Sequence, residues 1–145
     1  MSEASPPPGA ILEAPCAAIA EATQGLLSWE FDPRFRAAIA TFPASDQQGI
    51  KTGLQAGFDQ VWTTADLASA PERVRELAKK VGGLRGGQLL FAAHSDTDPI
   101  LFGLWWPWGN GQTISIRVLF SARTLDEPSK AALLASFKGW FGLAG

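Results

Sequence analysis

The fold is decided by residues 100–120, ILFGLWWPWGNGQTISIRVLF. Two runs rich in β-branched, aromatic and leucine residues flank Gly-Asn-Gly, a pattern that predicts an antiparallel hairpin. With a two-residue turn, Trp106 faces Ser115 and apolar residues oppose polar ones along the ladder. With the three-residue loop 109–111, Trp106 pairs with Ile114 and one face becomes wholly apolar. Because a one-residue slip moves every side chain to the other face, the pattern favours the three-residue loop.

A third strand precedes the hairpin. Residues 89–93 form another short apolar run, and the turn residues at 95–99 place Leu90 opposite Leu104. The prediction is a three-stranded antiparallel meander that packs one face against helices. This predicted core face carries Leu90, Ala92, Ile100, Phe102, Leu104, Trp106, Ile114, Ile116, Val118 and Phe120.

The opposite face of the meander is more apolar than a solvated face should be. It carries Phe91 and Trp105, and the expected register puts Phe91, Gly103 and Arg117 in one row. Trp108 lies at the mouth of the hairpin. Helices, a second copy of the chain or a ligand can cover such a face, and the sequence leaves these three explanations open. Phe91, Trp105, Trp108 and Arg117 are therefore the candidate ligand or interface residues.

The first half of the chain has mainly helical periodicity. Residues 46–62 give the strongest helix prediction, although Gly53 and Gly57 weaken it and indicate a large neighbour packed closely against that helix. Residues 27–31 alternate and fit either a short strand or an extended connector. The remaining predicted helices are one around Cys16 that Gly25 ends, one at 33–42 after the Asp32-Pro33 cap, one that Gly82 ends, and a final one between Asp126 and Gly142.

The predicted fold class is α+β, with a mainly helical N-terminal half followed by a three-stranded antiparallel meander and a C-terminal helix. The length of 145 residues fits one domain, which we place at residues 10–145. Residues 1–9 are rich in Ser, Pro and Gly and are expected to form a disordered tail.

Charge and composition narrow the partners and the compartment. The net charge is −2, and acidic and basic residues are interspersed, so the sequence contains no basic stripe of the kind that binds nucleic acid. Cys16 is the single cysteine, which excludes an internal disulfide. The sequence shows neither a secretory signal nor an apolar run long enough to span a membrane. We therefore expect a cytoplasmic chain with no membrane partner.

Chemical motifs are sparse. His94, Asp96 and Asp98 have atom types that suit a metal, but alternating Asp residues before a proline are also typical of a turn, and no second His or spaced Cys completes a ligand set. Cys16 near a helix start is read either as an activated thiol or as a buried core thiol, the second being commoner. No catalytic residue, metal or cofactor is predicted.

The leading functional hypothesis is a non-enzymatic protein-interaction or scaffold module that self-associates, as a homodimer, through the second sheet face or the tryptophan-rich hairpin. It is based on apolar surface in excess of what one core face needs. The alternative is a small-molecule binding protein with an aromatic pocket, in which Arg117 holds the anionic group of a ligand.

Overall fold

The computed structural model describes residues 9–96 and 98–143. Most of the predicted disordered tail, residues 1–8, lies outside this range. Four α-helices and six β-strands follow one another along the chain. Their bounds are α1 (Glu13–Ala22), β1 (Glu30–Asp32), β2 (Ala37–Pro43), α2 (Gln47–Leu54), β3 (Gln60–Trp62), α3 (Glu72–Lys80), β4 (Leu89–Ala93), β5 (Ile100–Pro107), β6 (Thr113–Ser121) and α4 (Glu127–Trp140).

The strands form one antiparallel sheet in the order β1-β2-β6-β5-β4-β3. The protein is thus α+β with an antiparallel sheet, but the predicted three-stranded meander is wrong as a description of the fold. The meander β4-β5-β6 exists and forms the middle of the sheet. The sequence prediction missed that β2 pairs with the outer side of β6 and β3 with the outer side of β4.

The helix predicted at residues 33–42 is wrong, because this segment contains most of β2. Strand β2 reads AAIATFP, in which Thr41 alone interrupts the apolar residues, so these residues fit helical spacing as well as a strand. The Asp32-Pro33 pair begins a turn instead of capping a helix: Oδ1 of Asp32 accepts a hydrogen bond from the backbone N–H of Arg34 at 3.0 Å.

The helix predicted at residues 46–62 is about half as long in the structure. Helix α2 ends at Leu54, and Val61 and Trp62 belong to β3. The predicted mainly helical N-terminal half is therefore wrong, because it contains three of the six strands. Gly53 and Gly57 do mark a close neighbour, as predicted, and that neighbour is α1 with the turn that follows it.

The register of the β5-β6 hairpin is the one that the sequence analysis rejected. Trp106 lies opposite Ser115 and Leu104 opposite Arg117. The backbone N–H of Trp108 donates to the carbonyl oxygen of Thr113 at 2.8 Å. The four residues 109–112 therefore form the loop inside this hydrogen-bonded pair. The polar residues of β6 therefore face the same side as the apolar residues of β5. The predicted pairing of Leu90 with Leu104 between β4 and β5 is confirmed.

Both faces of the sheet are covered, so the fold has three layers. On one face, which we call the core face, α1, α2 and α4 pack against β-strand residues that include Phe91, Trp105 and Val118. On the other, which we call the outer face, α3 packs through Val74 and Leu77 against the end of the sheet nearest β3, β4 and β5. None of the helices in the described part of the chain is long and apolar enough to cross a membrane.

Candidate anion-binding groove

Two of the predicted site residues, Phe91 and Trp105, lie inside the main core. Phe91 is fully buried and Trp105 is 2% exposed. Their ring centroids are 6.0 Å apart, and the rings of Phe42 and Phe58 pack around them. Neither residue is accessible to a ligand or a partner in this arrangement.

The other two, Arg117 and Trp108, lie on the outer face. Nε of Arg117 donates to Oδ2 of Asp32 at 3.0 Å, and its guanidinium carbon is 4.9 Å from the ring centroids of both Phe35 and Trp106. Trp108 folds back over the strand, and its Nε1 donates to Oγ of Ser115 at 2.6 Å. The row predicted from Phe91 through Gly103 to Arg117 is therefore wrong, because Val118 occupies the β6 position.

Three aromatic side chains and one arginine lie on this part of the outer face. We call Phe35, Trp106, Trp108 and Arg117 the aromatic strip. Burial by itself would raise the pKa of Asp32, but the hydrogen bond and charge of Arg117 and the backbone N–H groups of Arg34 and Phe35 hold that pKa below its ordinary value. Arg117 is consequently engaged by an internal carboxylate.

The residues considered for metal or thiol chemistry do not form a reactive cluster within the described part of the chain. Cys16 is fully buried in α1, and desolvation raises the pKa of its thiol far above the ordinary range. His94 has a positive φ of 59° at the end of β4. Among residues 9–96 and 98–143, no three His, Cys, Asp or Glu side chains lie close enough together to hold a metal ion.

A groove opens at the end of the sheet where β2 has not yet begun and β6 continues to Ser121. Its walls are the β1-β2 turn, the last residue of α3 and the first turns of α4. Its volume is about 490 Å³, within the range of small-molecule pockets. We call it the cationic groove, and it is lined by Phe35, Arg36, Lys80, Phe120, Ser121, Ala122, Glu127, Lys130, Ala131 and Leu134.

Positive charge is concentrated around this groove. Arg36, Lys80 and Lys130 line it, and Arg34 lines the cavity that adjoins it. These are four of the twelve basic residues of the chain, whereas Glu127 is one of fourteen acidic residues. Within the described part of the chain, the side chains of Arg36 and Lys80 make no ion pair with a carboxylate. The groove is therefore positive although the chain as a whole is slightly negative.

A hydrogen-bond network fixes the floor of the groove at Ser121. Nη2 of Arg73 donates to the carbonyl oxygen of Ser121 at 3.1 Å and to its Oγ at 3.3 Å. The same nitrogen bonds Oδ1 of Asp98 at 3.1 Å. Because Oγ of Ser121 accepts from Arg73, its own O–H remains available as a donor to a ligand.

Asp98 secures the segment that follows Ser121. Its carboxylate accepts the backbone N–H groups of Arg123 and Thr124 at 2.8 and 3.0 Å and the hydroxyl of Thr124 at 2.7 Å. Arg123 also forms an ion pair with Glu76 of α3. The ion pair connects α3 to the segment between β6 and α4, so two of the three walls of the groove are linked to each other.

Arg36 reaches the groove from a backbone conformation that costs energy. Its φ is 52°, in the left-handed region that residues with a side chain seldom adopt. Such strain is commonly retained where a side chain must point in a particular direction. In the β1-β2 turn, the strained residue is Arg36, whose side chain lines the groove.

The sequence analysis missed this site because its cations are far apart in the chain. Arg36, Lys80 and Lys130 come from three different elements, and no short motif joins them. The one local signal was the run Arg34-Phe35-Arg36 after a turn-forming Asp-Pro pair. Interpreted as part of a helix, that run gave no reason to expect a groove. Compared with known proteins, the chain matches no protein-family model, and searches of curated proteins and of solved structures find no significant match either.

Proposed function

We propose that this chain is a non-enzymatic binding domain that holds a small anionic molecule in the cationic groove. The observation that carries the proposal is the gathering of three basic residues and one acidic residue around an open cavity of ligand size, with a fourth basic residue, Arg34, in the adjoining cavity. It keeps the class of ligand expected from the sequence but assigns its anchoring to Arg36, Lys80 and Lys130 instead of Arg117.

The physical support is electrostatic. A concave site lined by one sign of charge focuses the potential and attracts small ions of the opposite sign. Among the described residues, exposed Arg36 and Lys80 make no ion pair with a carboxylate, so a ligand can bind them without breaking one. Lys130 is paired with Glu127 of the same helix at 3.8 Å, and a ligand anion has to share or displace that exposed contact. The O–H of Ser121 adds a directional donor at the floor.

Backbone amide chemical shifts recorded during titration with inorganic phosphate and with citrate test the proposal. Binding in the groove shifts the amides of residues 34–37, 120–122 and 129–134 together. Added salt weakens the effect because exposed charges are screened. Lys80→Ala is expected to weaken binding several-fold.

Lys79 provides the matched control. It is the preceding residue of the same helix and is also exposed, but it does not line the groove. Lys79→Ala therefore removes the same charge and should leave the titration unchanged. Equal losses from the two variants, or shifts scattered over all surface lysines, would contradict a site in the groove.

Self-association through the aromatic strip is a second candidate. The observation that favours it is Trp108, which is 50% exposed on the outer face of the sheet. Trp and Arg are enriched at the centres of interfaces. A net charge of −2 also opposes the approach of a second copy only weakly.

Sedimentation equilibrium over a concentration series tests self-association. A dimer that Trp108→Ala weakens supports it. Leu26→Ala is the control, because Leu26 is 53% exposed and lies outside the strip. A monomer at every concentration, or equal effects of both substitutions, excludes the strip as the interface.

A further inference from the structure

A second cavity lies beside the cationic groove, toward the outer face of the sheet. The two share Phe35, Lys80, Phe120 and Ser121 in their walls. We call the second cavity the apolar extension. Beyond the shared residues it is lined by Leu77, Val81, Phe102 and Leu119, together with Arg34.

The two ends of this combined space differ in chemistry. Arg36 and Lys130 line only the cationic groove, whereas four apolar residues line only the extension, together with Arg34 at its rim: Leu77, Val81, Phe102 and Leu119. Lys80 and Ser121 lie where the two meet. A ligand that fills both parts must therefore present an anionic group at one end and an apolar group at the other.

The size of the space points the same way. The cationic groove alone has a volume of about 490 Å³ and the extension about 290 Å³. A water molecule takes up about 30 Å³ of liquid volume, and inorganic phosphate is only a few times larger. Inorganic phosphate alone would therefore leave most of the groove to solvent. Small-molecule sites are mostly apolar and contain a few convergent polar groups, which describes the combined space.

We propose that the ligand is an amphipathic oxyanion, with a phosphate head held by Arg36, Lys80, Lys130 and the O–H of Ser121, and an apolar tail in the extension. This inference rests on the function proposed above and specifies the ligand class. Its tail contacts Leu77 of α3, Val81 just after that helix, and Leu119 of β6. The head is bound by charge and the tail by removal of apolar surface from water.

Hexyl phosphate, inorganic phosphate and hexanol are the probes, compared by amide chemical-shift titration of the intact chain. Hexyl phosphate is expected to bind at least about tenfold more tightly than inorganic phosphate, because several methylene groups leave water. It should shift amides around both cavities, whereas inorganic phosphate should shift those of the cationic groove alone.

Two substitutions separate head from tail. Val81→Thr keeps the shape of the side chain but places a hydroxyl in the extension, so it should weaken hexyl phosphate and leave inorganic phosphate unchanged. Lys130→Ala should weaken both, and Lys79→Ala neither. Thermal unfolding of each variant verifies that the fold is retained.

The outcomes distinguish this inference from the function on which it rests. Equal affinities for hexyl phosphate and inorganic phosphate overturn the amphipathic ligand and leave the anion-binding function standing. Hexanol binding as tightly as hexyl phosphate overturns the head group. If no phosphate binds, both proposals fail.

Discussion

Gly57 lies directly against the backbone carbonyl oxygen of Pro15. A methyl group on Gly57 would overlap that oxygen and would also press on the side chain of Ile19. The turn after α2 therefore approaches α1 as closely as two backbones allow, and this contact holds the two helices together on the core face of the sheet.

Gly57→Ala is expected to lower the free energy of unfolding by about 1–3 kcal/mol, because backbone atoms must shift to admit the methyl group. Gly49→Ala is the matched control in α2, where an added Cβ meets nothing within 4 Å. It should raise stability by up to about 1 kcal/mol through helix propensity. Urea denaturation of both variants measures the difference, and equal effects would rule out the close approach.

Arg36→Gly and Arg36→Ala are expected to remove the same charge with different effects on the fold. Glycine adopts a φ of 52° without the steric cost that alanine retains. Arg36→Gly should therefore be more stable than Arg36→Ala by up to about 1 kcal/mol. Both should weaken phosphate binding equally, which calorimetry and chemical denaturation measure together. Arg36→Gly being the less stable variant would contradict strain at this position.

Asp98 makes stability depend on pH. Burial by itself would raise the pKa of Asp98, but the N–H groups of Thr124 and Arg123, the Thr124 hydroxyl and the charge of Arg73 together hold it below its ordinary value. The folded state therefore binds its proton less readily than the unfolded chain does. The resulting stability is present above the unfolded pKa of about 3.9 and is lost as the pH falls through the lower folded value.

Asp98→Asn is accordingly expected to lower stability at neutral pH by roughly 1–3 kcal/mol, since its amide cannot accept all these bonds. The difference from the wild-type chain should shrink as the pH falls below about 4. Asp96→Asn, an exposed neighbour, is the control and should change little. A difference that stays constant on acidification would show that the carboxylate charge is not responsible.

Cys16 is expected to resist thiol reagents in the folded protein. Its thiol is fully buried and its pKa is raised by desolvation, so little thiolate forms and reagents cannot reach it. Reaction with a disulfide reagent should follow the rate of unfolding and become fast in denaturant. Prompt reaction under native conditions would show that α1 opens locally or packs differently.

The sequence analysis predicted correctly those helices and strands that have clear capping or turn residues at their ends. Helix α4 has an Asp126 cap, whose side chain accepts the N–H of Ser129, and ends near Gly142 with its positive φ. Strands β4, β5 and β6 are bounded by turn residues. Segments such as β2 were harder because a nearly continuous apolar run fits two periodicities.

The register error has a specific physical cause. The three-residue loop was preferred because it sets apolar residues opposite apolar residues, which moves Arg117 and Ser115 to the second face. In the structure both are satisfied on the outer face, Arg117 by Asp32 and Ser115 by Trp108. Since Asp32 belongs to β1 on a distant part of the chain, local pairing rules could not include it. The cationic groove escaped prediction for the same reason.

The position of β6 between β2 and β5 also governs how the chain assembles during synthesis. β6 is the last strand to leave the ribosome, yet it joins the β1-β2 hairpin to the rest of the sheet. Until it emerges, β2 has no central partner and its apolar surface stays open to aggregation. A chain that ends before β6 therefore contains two separate pieces of sheet, β1-β2 and β3-β4-β5, with no strand to join them.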